Sequence, residues 1–176
     1  MEKRQARAIL RSRVAEIPFD ERVRSSREIF AKVAALPSFQ QAQVVALYAA
    51  LPDEPQSGEF IAEWCGRKRI VLPRVEGEIM RFYDYSPEMM ASGSFGIDEP
   101  QGECPCPAET IDFMVVPGVG FTAEGYRMGR GKGFYDRYLS QPDFRATTVG
   151  VCFKAQIMEE LPLEPHDRSL DFVVFR

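Results

Sequence analysis

Short, continuous apolar runs separated by helical patterns constrain this chain more than any other feature. Val44-Val45-Ala46-Leu47-Tyr48, Arg69-Ile70-Val71-Leu72-Pro73, Ile111-Asp112-Phe113-Met114-Val115-Val116 and the segment 147–153 are rich in β-branched residues and lack a polar alternate face. A strand that is apolar on both faces has to be covered on both, as in parallel sheets whose crossovers are helices. Met80-Arg81-Phe82-Tyr83-Asp84-Tyr85 alternates in character and reads as a further strand, as does 170–175. Ahead of the first strand, Ala6, Leu10, Val14 and Ile17 form an apolar stripe that predicts a helix over 2–17, ended by Pro18. Lys3, Arg7 and Arg11 form a second, cationic stripe on it. Asp20 is placed to cap a second helix that Pro37 would stop, and further helices are predicted near 57–66 and from 132 to 139. The predicted architecture is α/β: one three-layer α/β/α domain over 1–176 with a mainly parallel sheet. The stretch 86–110 is rich in Pro and Gly and reads as a long irregular connection.

Composition narrows the function. A chain of 176 residues, 45% apolar and 27% charged, can build one sizeable core. No run of about 18 apolar residues predicts a transmembrane helix. The segment Met1-Glu2-Lys3-Arg4-Gln5-Ala6-Arg7 lacks the apolar region of a secretory signal, so a cytoplasmic setting is expected. Cysteines at 65, 104, 106 and 152 make no Cys-x-x-Cys pair and read as reduced thiols. A single histidine, His166, argues against a histidine-built metal site and reads more simply as a surface residue. The net charge of −4 argues against a dedicated nucleic-acid binder. Yet residues 1–32 carry nine Lys/Arg against five Asp/Glu, and 126–138 carry four against one. Local basic patches on an acidic protein suit a small polyanion.

The second patch falls in the run 117–138, which holds six glycines and four cations directly after a predicted strand. Glycines let backbone N–H groups approach an anion, and cations neutralise it. A Walker A loop would need Gly at 126 and Ser or Thr at 133, where Tyr126 and Gly133 stand. Gly118-x-Gly120-x-x-Ala123 imitates a dinucleotide fingerprint, but no helical pattern follows Ala123. What remains is Arg127-x-Gly129-x-Gly131-Lys132-Gly133 entering a helix, a site for a polyphosphate, with Asp136 in reach of its metal. The plainer alternative for Lys132 and Asp136 is an intrahelical salt bridge. For Asp53 or Glu54 it is a helix cap, and for Asp167 an ordinary loop acid.

These residues resemble a known family. The 117–138 run is similar to the signature of 5-formyltetrahydrofolate cyclo-ligase, also called methenyltetrahydrofolate synthetase. Leu51-Pro52-Asp53-Glu54, Leu72-Pro73-Arg74, Gly96-Ile97-Asp98-Glu99-Pro100 and 161–167 extend the likeness over nearly the whole chain. The resemblance implies an ATP- and Mg²⁺-dependent ligase of one-carbon metabolism. It would turn 5-formyltetrahydrofolate into 5,10-methenyltetrahydrofolate by phosphorylating the formyl oxygen and closing the ring through N10. By the same resemblance, Lys3, Arg4, Gln5, Ala6 and Arg7 would meet ATP, as would the loop Arg127, Met128, Gly129, Arg130, Gly131, Lys132, Gly133, Phe134 and Tyr135. Lys132, Arg127 and Arg130 would be the catalytic phosphate cations. Ala49, Glu54 and Phe134 would line the folate pocket, and Asp136 and Asp167 would hold Mg²⁺. Two positions depart from the family: Thr122 stands where Asp is frequent, and Phe134-Tyr135 where Tyr-Tyr is usual. A monomer acting on a reduced folate, with no nucleic-acid or membrane partner, is the expectation. The rival readings are a non-catalytic folate- or nucleotide-binding protein of the same fold and a phosphotransferase with another small acceptor.

Overall fold

The structure, a computed structural model, describes residues 1–165 and 167–176, so His166 lies outside the described residues. Two helices open the chain, α1 (Lys3–Ala15) and α2 (Phe19–Ala34), followed by the short α3 (Pro37–Gln41). The strand β1 (Val44–Ala46) leads to α4 (Gly58–Trp64), β2 (Arg69–Glu76) and β3 (Ile79–Asp84). A small excursion carries β4 (Met90–Ser92) and β5 (Asp98–Pro100). Then come β6 (Phe113–Val116), β7 (Gly120–Phe121), β8 (Arg127–Met128), α5 (Phe134–Leu139), β9 (Thr147–Cys152) and β10 (Phe172–Phe175).

Six strands form the central sheet in the order β10-β9-β6-β1-β2-β3. Neighbours from β10 to β2 run parallel, and β3 returns antiparallel on β2 through a tight turn at Gly77. Strand periodicity sends alternate residues to opposite faces. Val45, Phe113 and Val115 pack with Ile29, Phe30 and Val33 of α2, Phe39 of α3 and Phe60 and Trp64 of α4. Val44, Ala46, Met114 and Val116 pack on the other side with Tyr138 of α5 and with Cys106, Ala108 and Ile111 from the irregular stretch before β6. The predicted mainly parallel sheet covered on both faces therefore forms. Its second layer is one short helix supplemented by irregular chain. Among the described residues no helix is long and apolar enough to cross a membrane.

The N-terminal helix docks through Ala6 and Leu10, both fully buried, on Val119, Met128 and Leu161. Burying a leucine contributes about 1.5–3 kcal/mol, enough to fix this helix beside the glycine-rich segment.

Several local expectations are corrected. Asp20 does not cap α2; Pro18 holds the cap position, and Asp20 and Glu21 sit in the first turn, where the helix dipole favours acids. Pro37 opens α3, its ring suiting a first helical turn. The final predicted helix starts at Phe134 instead of Lys132, because Gly133 adopts a left-handed conformation (φ 73°) that a helix cannot continue through. Lys132 and Asp136 are consequently no intrahelical pair. The stretch 86–110 is less irregular than predicted, since β4 and β5 pair antiparallel within it.

Chain direction decides where a ligand can enter. From β1 the chain proceeds to β2 and β3 on one side, and from β6 to β9 and β10 on the other. The strand order thus reverses between β1 and β6, and open α/β sheets bind ligands outside the carboxyl ends of strands at such a point.

Candidate active site

A cavity of about 420 Å³ opens at this switch point, within the size range of small-molecule sites. Tyr48, Ala49 and Glu54 reach it from the end of β1, and Pro117 and Gly118 from the end of β6. Its floor toward the sheet edge includes Pro73, Val75 and Met80. The β4–β5 excursion closes one flank with Ile97 and Glu99. That flank is anchored by Glu99 Oε2, which accepts the Val75 N–H at 2.8 Å, and by Arg74 Nη1, which donates to Pro100 O (3.0 Å) and Gly102 O (2.8 Å).

The glycine-rich segment forms the opposite wall. After β6 it turns through 117–119 into the β7–β8 hairpin, then runs through Gly131 and Gly133, both with positive φ, into α5. The next element after Ala123 is β8, not a helix, as the sequence indicated. The hairpin turn is held by Thr122, whose backbone N–H donates to Tyr126 O (2.9 Å) and whose Oγ1 accepts the Tyr126 N–H (3.2 Å). That is the local bond an aspartate would make in such a turn, so the Thr122 departure preserves the turn.

The cations of this wall differ in their commitments. Arg127 is nearly buried, with its side chain 9% exposed. Its Nε donates to Pro117 O at 2.6 Å, its Nη1 donates to Asp136 Oδ1 at 3.3 Å, and its guanidinium lies 5.1 Å from the centre of the Tyr135 ring. Arg127 therefore ties the end of β6 to the start of α5. Arg130 reaches across the cavity to the β1 loop. Its Nη2 is 2.5 Å from Asp53 Oδ1 and 3.5 Å from Glu54 Oε2, and its Nη1 donates to Asp53 Oδ2 at 3.3 Å. Lys132 lines the cavity, is exposed, and among the described residues makes no hydrogen bond or ion pair.

Glu54 is the most constrained acid of the site, 4% exposed. Its Oε1 accepts the Leu51 N–H at 2.8 Å, closing its own turn. Burial raises its pKa above the usual carboxylate range, against the lowering effects of the Leu51 N–H and Arg130. Neither Asp53 nor Glu54 caps α4, which begins later with Ser57 at the cap position. Beside it, the Tyr48 hydroxyl donates to Pro55 O at 2.6 Å. The Tyr135 hydroxyl is buried without a partner among the described residues, and burial pushes its pKa up.

The first helix meets this wall. Arg7 Nε donates to Gly129 O at 2.8 Å, and Lys3 Nζ pairs with Glu164 Oε1 at 2.7 Å. Asp167 joins the same corner, since its Oδ2 accepts the Glu164 N–H at 2.6 Å. Arg7 is thus brought to the loop and Lys3 to the segment at 164–167, and Arg4 is exposed. Gln5 serves the helix start by accepting the Glu2 N–H at 3.2 Å, and the Ala6 side chain is buried against the hairpin. Met128 is buried in that cluster as well and offers the cavity no side chain. Ala49, Glu54 and Phe134 do share the cavity.

Asp136 is 65% exposed, and among the described residues its Oδ2 and the Oδ1 of Asp167 have no hydrogen bond. Among the described residues no group of three or more His, Cys, Asp and Glu side chains is gathered as for a metal. Hard carboxylate oxygens with few protein partners do fit Mg²⁺, which retains waters and leans on phosphate oxygens.

Three contributors escaped the sequence. Arg11 extends the cationic stripe of α1 into the cavity. Asp53 pairs with Arg130. Gln156 is 2% exposed and holds the 117–119 turn, donating from Nε2 to Gly118 O and Val119 O, both at 3.1 Å. Arg11 showed only as part of a cationic stripe and Asp53 only as part of the Leu51-Pro52-Asp53-Glu54 match or as a cap; Gln156 had no signal.

A doubly wound α/β sheet with a cationic glycine-rich loop and a buried acid facing each other across one cavity defines a candidate small-molecule site. The chain belongs to the 5-formyltetrahydrofolate cyclo-ligase family, whose family model matches residues 1–176. It is 29% identical over 189 residues to the 5-formyltetrahydrofolate cyclo-ligase of Mus musculus, covering 98% of this chain and 93% of that one. A probable 5-formyltetrahydrofolate cyclo-ligase of Schizosaccharomyces pombe is 31% identical, covering 99% and 95%. Among solved structures, the NMR structure of Aquifex aeolicus 5,10-methenyltetrahydrofolate synthetase superposes with a TM-score of 0.89 at 35% identity, covering 99% of this chain and 90% of that one.

Proposed function

We propose that this protein is an ATP- and Mg²⁺-dependent 5-formyltetrahydrofolate cyclo-ligase, forming 5,10-methenyltetrahydrofolate, ADP and phosphate. The observation that carries the reading is that Glu54 and the loop cations line one cavity and meet at Arg130. A formamide oxygen is a poor leaving group. Phosphorylating it makes it a good one, which explains why a folate wall and a phosphate wall share a space. The formyl oxygen attacks the γ-phosphate and ADP leaves. N10 then attacks the activated carbon, and the C–O bond breaks as the ring closes, phosphate departing with the proton that N10 gives up.

The protein's part is to hold the reactants in line and neutralise developing charge. Glu54 accepts hydrogen bonds from the pterin, and Phe134 packs against it. Lys132, without other partners among the described residues, follows the transferring phosphoryl group, while Arg130 faces the phosphates from its mount on Asp53. Arg7 and Lys3 secure the nucleotide side, and Arg127 fixes the loop. Asp136 and Asp167 would hold Mg²⁺, which supplies neutralisation of the phosphate oxygens.

Purified protein with 5-formyltetrahydrofolate and Mg²⁺ should develop the absorbance of the methenyl product only when ATP is added. No ATP-dependent product from authentic substrate overturns the proposal, and binding of both ligands without turnover selects the non-catalytic reading.

A further inference from the structure

We propose that Asp53 is a positioning residue for Arg130, and that this pair couples the nucleotide and folate halves of the cavity; the inference rests on the cyclo-ligase reading. Arg130 is flanked by Gly129 and Gly131, neighbours that offer it no side chain to lean on. A long side chain on such a loop has much rotamer freedom to lose before it can serve a ligand. Asp53 removes that freedom in advance with a two-pronged contact, Oδ1 to Nη2 at 2.5 Å and Oδ2 to Nη1 at 3.3 Å. The Asp53 and Arg130 side chains are 35% and 32% exposed, and Arg130 lines the cavity.

The remaining donors leave room for a ligand. A guanidinium has five N–H groups. Asp53 takes one from each Nη, and Glu54 Oε2 faces Nη2 at 3.5 Å. Among the described residues the Nε–H and one Nη1–H have no partner, so Arg130 can meet a phosphate oxygen without releasing Asp53.

The mount itself belongs to the folate side. Asp53 sits in a turn closed twice, by Glu54 N–H donating to Leu51 O at 3.0 Å and Leu51 N–H donating to Glu54 Oε1 at 2.8 Å. A folate ordered against Glu54 stiffens that turn, and with it the grip of Asp53 on Arg130. Coupling between sites is reciprocal, so each ligand should tighten the other.

The test titrates a non-hydrolysable ATP analogue with Mg²⁺ into wild type, Asp53→Ala, Arg130→Ala and the double variant, with and without saturating 5-formyltetrahydrofolate. In wild type the folate should tighten the analogue about tenfold, an ordinary coupling between sites. Either single substitution should abolish that gain, the double variant should be no worse than Arg130→Ala, and Asp53→Glu should recover part of it. Losses that simply add in the double variant, or undiminished coupling in Asp53→Ala, overturn the inference. A wild type that turns over with uncoupled sites overturns this inference alone. A wild type that binds neither ligand overturns the cyclo-ligase reading and the inference with it.

Discussion

Replacing Gln156 by leucine tests how the cavity's inner turn is held. The side chain is 2% exposed and makes three hydrogen bonds to backbone: Nε2 donates to Gly118 O and Val119 O at 3.1 Å, and Oε1 accepts the Phe153 N–H at 2.9 Å. Leucine has similar bulk and none of these partners, so three backbone groups inside the protein lose a bond together. Each buried polar group left unsatisfied costs about 1–3 kcal/mol. Relaxation and the removal of the amide's own desolvation offset part of the sum, which leaves about 3 kcal/mol. For a chain of this size that corresponds to a fall in melting temperature of about 6–12 °C. Urea unfolding followed by circular dichroism reads it directly, as a lower midpoint at an unchanged slope. Because Pro117 and Gly118 line the cavity, kcat/KM should fall too, measured well below the variant's melting range. Gln156→Glu keeps the acceptor for Phe153 but turns a carboxylate toward two carbonyls; its deficit should shrink as acid restores one O–H donor. A leucine variant within about 1 kcal/mol of wild type would mean that water satisfies these groups as well as Gln156 does, and the reasoning fails.

The free cation of the loop gives a second test: Lys132→Ala should cost about 2–4 kcal/mol of transition-state stabilisation in steady-state turnover, and near-normal turnover would mean the phosphates sit elsewhere. Glu54→Gln tests the buried acid. Since burial raises the folded pKa of Glu54, the ionised form costs stability, a cost absent below the unfolded value of about 4.3 and fully present once pH exceeds the raised folded value. The glutamine variant should therefore gain stability relative to wild type as pH rises across that window while losing folate affinity; urea midpoints whose difference ignores pH refute it. Arg127→Lys keeps a charge but loses the fork that serves Pro117 and Asp136, so unfolding should be easier by about 1–3 kcal/mol, and an unshifted urea midpoint counts against that role. Chelating Mg²⁺ should stop turnover and leave the urea midpoint in place, because among the described residues no acid cluster is gathered that would need a metal to stay folded; a large drop in midpoint would reveal a structural ion instead.

The sheet was largely legible in the sequence because its signal is local. Val44–Ala46 and Phe113–Val116 are apolar on both faces, and two-sided burial leaves no alternation to misread. The end of a helix is harder to place, since one backbone angle decides it: Gly133 at φ 73° moved the start of α5 two residues past Lys132. Side-chain partnerships were the least legible part. Arg130 and Asp53 are 77 residues apart, and Gln156 lies 38 from Gly118. A sequence shows that Arg130 is a cation. Only the fold shows which carboxylate holds it and which of its donors remain free.

That distinction changes how the glycine-rich loop is understood. Read as a motif, Arg127, Arg130 and Lys132 are three equivalent phosphate cations. In the fold they form a gradient of commitment. Arg127 is enclosed, bonded to a backbone carbonyl and a carboxylate, and acts on the loop's shape. Arg130 is half committed, anchored on Asp53 with donors to spare. Lys132 has no partner among the described residues and is the uncommitted cation of the three. Electrostatic stabilisation is most effective from groups whose position is set before the reaction. A flexible ammonium is effective only when its neighbours are already rigid. Arg127 and Arg130 supply that rigidity in the chain leading to Lys132, one held at the end of β6 and the other on the loop after β1. The glycines at 129, 131 and 133 bring no side chain to the loop's packing, so its geometry is set by the contacts of Arg127 and Arg130 with Pro117, Asp136 and Asp53.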